Sequence, residues 1–394
     1  MQNIGIYFKN FRLRAPQKLF ENIITSELSN GCAVSRPLRY ERALVITHDN
    51  CTLDAASSTE VKDPVMTEAL DTDTTSHSDL HLVLGSGGTR AFLTGAGTIL
   101  ACEVAGVKNW KSIGGVSGGA IISALYAGGL NAAALLKEVI GYDFATLFHQ
   151  TSTFYDMFRS QLPRRPKNMV RRAIREGIMK SDGLGAIIDK HVSDWPANFW
   201  TMAVSGRYQF LFTADGVFQI EGEQTVRISD VPAPLGLAIR ASCAVPGIME
   251  AIEFAGHHLF DGALSDWGDC PTGIARRHFM APANKIVACD SSGGMTHQRR
   301  AWFLLGRLIT GRFSHKLNAE SRADEIFIVP RVEHLADALQ FSLSRDQKEA
   351  AVLAGFSATV ERLAKSGLLV GDILAKCRDA CRSYSDLHRL LIAI

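Results

Sequence analysis

Two short apolar runs in this chain are each followed at once by a small-residue turn and then by a helix-like run. The first is "LHLVL" at 80–84, followed by "GSGGTR" and then "FLTGAGTILACEVAGV", whose apolar residues recur at helical spacing. The second is "WKSIGGV", which leads into Ser117 and then into "GGAIISALYAGGL", a small-residue helix ended by Gly128 and Gly129. Further strands are expected at 199–205, 208–214, 252–260, 284–290 and 324–330, and helices at 166–191, 300–316 and 345–392. Such alternation argues for an α/β sheet layered by helices. No internal repeat is present.

Composition narrows the class of protein. The chain has 394 residues, 46% hydrophobic and 21% charged, which suits a globular protein with a sizeable core. A net charge of +2 gives no general case for nucleic-acid binding, so no nucleic-acid partner is expected. No apolar run approaches the roughly 18–20 residues of a membrane helix, and the first twenty residues lack a signal-peptide core. The expected location is cytoplasmic, peripheral at membranes, with export without a cleavable signal left open. Eight cysteines are scattered without framework spacing and read as free, mostly buried thiols. Cys377 and Cys381, four apart in a helix-like segment, make neither a disulfide nor a metal site by spacing alone. No metal or other cofactor is expected.

Two regions are expected. Residues 1–79 form an N-terminal extension whose 51–79 stretch is rich in Ser, Thr and Asp and reads as linker or disorder. Residues 80–394 form the main domain, with a helical C-terminal part at 330–394.

Ser117 stands in Gly115-Val116-Ser117-Gly118-Gly119, which fits G-x-S-x-G. The spacing alone is weak evidence; its position between a strand and a helix strengthens it. A sharp strand-to-helix turn holds a hydroxyl on an exposed tip, and small residues let the two elements approach. The helix that follows aims free N–H groups and a positive dipole end at the same point. A hydroxyl is a poor nucleophile without a base. The candidates are Asp261, directly after an apolar strand, and a histidine among His257, His258, His278, His297, His315 and His334. Acyl transfer also needs N–H donors for an oxyanion. The loop Gly85-Ser86-Gly87-Gly88-Thr89-Arg90 suits that need, with Arg90 adding charge. A nucleotide cradle is the competing reading of this loop. It lacks the Lys-Ser/Thr ending of a P-loop, and Arg90 occupies the last glycine of a dinucleotide fingerprint.

Four blocks make the chain resemble the patatin-like phospholipases. They are "GSGGTRAF" (85–92), "GVSGGA" (115–120), "AIRASCAVPGIMEAIEFAGHHLFDGA" (238–263) and, within the last, Asp261-Gly262-Ala263. The resemblance covers roughly residues 80–330. It implies a three-layer α/β/α fold with a mainly parallel central sheet. It implies Ser117 as nucleophile and Asp261 as its base in a dyad. Gly87, Gly88 and Thr89 amides would form the oxyanion hole, with Arg90 nearby, and Gly115, Gly119, Gly262 and Ala263 would complete the motifs. The implied substrates are acyl esters of glycerophospholipids, with no metal. Two departures stand out. Ser86 and Ala91 occupy positions where the family usually has glycine, and "LSDWGDCP" after Asp-Gly-Ala is longer than usual and lacks the Asn-x-Pro ending.

A phospholipid surface is the expected partner. Residues 159–180 carry eight basic residues and one acidic, and residues 299–316 interleave large apolar residues with arginines. Each also reads as a helix covering the sheet. A protein activator and the oligomeric state are left open. The alternatives are a lipid-binding scaffold with little turnover, a transacylase, and a Ser-His-Asp esterase.

Overall fold

The structure is a computed structural model. It describes residues 79–150, 174–292, 324–332, 335 and 340–393, without the side chains of 149, 150 and 393. The 1–78 extension, the 299–316 stretch, most of 159–180, and His297, His315 and His334 lie outside the described residues.

Ten strands make the main sheet: β1 (Leu80–Leu84), β2 (Trp110–Gly115), β3 (Phe199–Ser205), β4 (Tyr208–Thr213), β5 (Gly216–Glu221), β6 (Gln224–Ser229), β7 (Ile252–Phe254), β8 (His257–Asp261), β9 (Ile286–Cys289) and β10 (Ile326–Ile328). Nine α-helices lie among the described residues. They are α1 (Thr89–Val104), α2 (Gly118–Ala127), α3 (Ala132–Gly141), α4 (Asp182–His191), α5 (Leu235–Ser242), α6 (Thr272–His278), α7 (Arg345–Lys365), α8 (Gly371–Ala380) and α9 (Tyr384–Ala393).

The order across the sheet is β10-β9-β1-β2-β3-β4-β5-β6. From β10 to β3 every pairing is parallel, whereas β3 to β6 run as an antiparallel meander. In β1 all five residues are buried, as a central parallel strand covered on both faces requires. Its side chains divide by parity. Leu80, Leu82 and Leu84 join the core under α1, α2 and α7, while Val83 joins a second core with Trp200, Met202 and α6's Ile274. Helices therefore cover both faces, giving three layers. Fully burying a leucine such as Leu82 contributes roughly 1.5–3 kcal/mol.

Several elements differ from the sequence expectation. The single strand expected over 252–260 is a hairpin, β7–β8, turning at Ala255 and Gly256, both with positive φ. Within the expected 166–191 helix, Met179–Lys180 is instead a short strand paired with His149–Gln150, and α4 starts only at Asp182. The expected 345–392 helix is three helices, interrupted at Gly367 and Gly371, which adopt positive φ, and again after Cys381. α7 opens on a Ser344–Gln347 capping box. It packs backbone to backbone on α1: a Cβ on Gly97 would overlap the Val352 carbonyl, and one on Gly355 would overlap Thr94.

Candidate active site

The site forms at the carboxyl ends of β1 and β2, where parallel sheets place their reactive loops. β2 ends at Gly115, and α2 begins at Gly118. Two residues cannot reverse the chain so sharply in an ordinary conformation, and Ser117 takes φ 55° and ψ −131°. The glycines around it are explained by contact. A Cβ on Gly119 would overlap the Leu84 and Gly85 carbonyls, and one on Gly115 would lie 2.5 Å from the Gly119 oxygen. A Cβ on Gly118 would overlap the Gly88 carbonyl, which seats the serine turn directly against the glycine loop.

Register brings Asp261 to the same place. β2 pairs with the first half of β3, Gly115 opposite Thr201. Beyond that point β3 pairs with β8, placing Asp261 opposite Ala203. Asp261 thus arrives beside the end of β2, near enough for the Ser117 hydroxyl to act on its carboxyl. The Ala263 N–H donates to Asp261 Oδ1 at 2.9 Å, and the Asp261 N–H donates to the Ala244 carbonyl at 2.9 Å. Asp261 is 2% exposed. Burial pushes its carboxyl up to about 7, against the opposing pull of the Ala263 amide and the Ser117 hydroxyl, with the Asp269 charge adding to the rise. A carboxylate poised near neutrality is what a general base working at that pH requires.

Ser117 lies on a narrow cavity of about 40 Å³. Its walls are apolar, with Ile121, Phe144, Leu147, Val245, Met249 and Phe341 among them. Gly88, Thr89 and Gly118 line the same space. Among the described residues, the amides of Gly87, Gly88 and Gly118 have no hydrogen-bond partner. Gly87 has φ 152°, and a Cβ there would sit 2.6 Å from the Ser291 oxygen. Arg90 does not line the cavity. It is buried, and its guanidinium donates to the Ser292 carbonyl at 3.3 Å, fastening the loop after β9.

A family model described as patatin-like phospholipase matches residues 82–275. This domain belongs to the patatin-like phospholipase family. It has a mixed α/β fold, and the family's members are hydrolases acting on lipid esters. The crystal structure of VipD from Legionella pneumophila is similar at 14% identity and a TM-score of 0.40, covering 73% of this chain and 67% of that one. No curated protein matches the chain.

In this patatin-like domain three features lay beyond sequence reasoning. Ser242, fully buried at the end of α5, accepts the Ser117 N–H at 3.1 Å and fixes the turn from behind. It sits inside the "ASCAVPG" block, but nothing in the spacing points it toward Ser117. Gly118, next to Ser117, lines the same cavity, and its amide has no partner among the described residues. Asp269 grips the glycine loop: the Ser86 N–H donates to its carbonyl at 2.6 Å and the Ser86 hydroxyl to its Oδ1 at 3.2 Å.

The described histidine candidates fall elsewhere. His257 packs on Tyr208 and Phe210, His258 meets Arg175 and Glu253, and His278 packs on Phe218. Among the described residues no histidine lines the Ser117 cavity, and no cluster of three metal-ligating side chains is found. A larger cavity of about 250 Å³, walled by Trp110 and Tyr126, opens at the opposite end of β2, away from these groups.

Proposed function

We propose that the protein is a serine lipid acyl hydrolase of the phospholipase A or lysophospholipase type, working through a Ser117–Asp261 dyad. The observation that carries this reading is the sheet register that brings Asp261, buried and with its carboxyl raised to about 7, to the Ser117 turn.

In the proposed reaction the Ser117 oxygen attacks the ester carbonyl carbon while its proton passes to Asp261. The negative charge that develops on the carbonyl oxygen is met by the Gly88 amide at the head of α1 and the Gly118 amide at the head of α2, with Gly87 and Thr89 beside them. Losing one such donor typically costs roughly 2.7–4 kcal/mol of transition-state stabilisation. The tetrahedral adduct collapses, the C–O bond to the glycerol breaks, and Asp261 returns the proton to the departing alkoxide. Water then attacks the acyl-serine, Asp261 takes its proton, and fatty acid leaves as Ser117 is reprotonated. The apolar walls suit an acyl chain, since they present no polar group to desolvate.

The cavity of about 40 Å³ has room for about one water and not for a chain, so its wall must open. Phe148 and Phe341, both in that wall, meet with ring centroids 4.6 Å apart. In this proposal, contact with a phospholipid surface drives that opening, aided by the basic 159–180 stretch and the apolar 299–316 stretch.

Incubation with mixed phospholipid vesicles, followed by identification of the released species, tests the reading. Free fatty acid is expected from the intact protein, and none from Ser117→Ala or Asp261→Asn with folding preserved. Turnover by either variant would sink the dyad. Vesicle binding without release, and no labelling of Ser117 by a fluorophosphonate, would instead mark a lipid-binding scaffold.

A further inference from the structure

The two departures from the family pattern, Ser86 in the glycine loop and the lengthened segment after Asp-Gly-Ala, meet each other in the fold. Ser86 hydrogen-bonds Asp269 twice, by its N–H to the carbonyl and by its hydroxyl to Oδ1. Ser86 is 7% exposed, so water does not compete freely for this bond. The neighbouring residue is gripped as well. The Gly85 N–H donates to the Cys289 carbonyl at 2.8 Å, and a Cβ on Gly85 would lie 2.9 Å from the Asp269 carbonyl and 3.0 Å from that of Cys289. On the far side Gly87 rests against Ser291. The loop that presents Gly88 to Ser117 is therefore held between the end of β9 and the 269–270 turn, and the side-chain tie on the second side is Ser86–Asp269.

We infer that Asp269 is a positioning residue, whose carboxylate fastens Ser86 and so fixes the Gly87–Gly88 amides opposite Ser117. The inference rests on the dyad reading above. A glycine at position 86 would leave the loop's first turn held by backbone contacts alone; here the serine and the longer segment act as a matched pair. Displacement of a catalytic donor by a fraction of an ångström acts on the transition state rather than on substrate binding. Asp269 also shares its surroundings with Asp261, which faces the Ser117 hydroxyl, the Cys243 thiol, the Ala263 amide and the Asp269 charge.

The test uses the full-length protein with p-nitrophenyl butyrate, comparing Ser86→Ala, Asp269→Ala, Asp269→Asn and the Ser86→Ala/Asp269→Ala double variant. Removing either partner is expected to lower kcat about tenfold, the worth of one buried hydrogen bond, with KM unchanged. The double variant should fall no further than the singles, because one bond is lost in each case. Asp269→Asn keeps an Oδ1 acceptor and should recover most of the loss, while the acidic limb of its pH–rate profile moves to lower pH. Wild-type kcat in Ser86→Ala, additive losses in the double variant, or an unmoved acidic limb in Asp269→Asn would each overturn the inference. Ser117→Ala is run alongside: activity there would mean that the dyad reading itself has failed. Ser117→Ala inactive with Ser86→Ala unaffected would remove only the positioning role.

Discussion

Gly88 and Ser117 hold nearly the same backbone conformation, φ 58°, ψ −132° and φ 55°, ψ −131°. Each caps the helix that follows a parallel strand, and the two strands are neighbours. The shared geometry costs glycine nothing, whereas a residue with a Cβ is strained there by roughly 1–2 kcal/mol. Ser117→Gly should therefore raise the melting temperature by about 2 °C while abolishing esterase activity. Calorimetry on the purified variant checks this; an unchanged or lower melting temperature would mean that the turn stores no strain.

Gly118 touches the Gly88 carbonyl where any Cβ would have to go. Gly118→Ala is expected to push the serine turn and the glycine loop apart, destabilising the fold by about 1–3 kcal/mol. Activity should drop well beyond that loss, because the separation between the hydroxyl and the amides changes. Denaturant melts and initial rates on one preparation test both halves.

The Asp261 carboxyl, raised to about 7 chiefly by burial, gives two pH effects of opposite kind. A base must be ionised to accept the serine proton, so kcat/KM should rise with pH through about 7. Stability runs the other way. A carboxyl whose folded value lies above the ordinary aspartate value of 3.8 binds more protons folded than unfolded between those limits. Its contribution is fully present below the unfolded value and is lost as pH rises through about 7. Asp261→Asn should thus gain stability relative to the parent as pH rises from 4 to 8, by on the order of a few kcal/mol. Paired denaturant titrations at both ends of that range would show it, and a difference independent of pH would contradict the buried ionisation.

Phe341 closes the cavity against Phe148. If opening limits access, Phe341→Ala should raise the rate on long-chain monomeric esters more than on short ones, and narrow the gap between rates with and without vesicles. A uniform fall across chain lengths would assign Phe341 to stability instead.

Ser117 and Asp261, the proposed dyad, could be picked out because they sit in long, ordered blocks whose spacing reflects backbone constraints: a turn that tolerates only small neighbours, and a strand end before Asp-Gly-Ala. The parallel half of the sheet was legible for the same reason, since buried strands such as 80–84 and 284–290 read as continuous apolar runs. Strands β5 and β6 were not expected. "QTVRIS" is exposed along most of its length and offers no buried face for a period to mark. Ser242 was hidden because its role depends on where α5 ends in space. The Ser86–Asp269 tie joins positions 183 apart, and each looked only like a departure from the family pattern until the fold brought them together.

The contact between Gly97 on α1 and Val352 on α7 has a practical consequence. The family-matched stretch stops at residue 275, short of β9, β10 and α7. A protein cut there would strip β1 of its β9 neighbour and lay bare one flank of the helix that Gly88 caps. Domain borders drawn from the matched stretch alone would thus isolate the reacting groups from their foundation; the smallest independently folding unit must extend at least to Lys365.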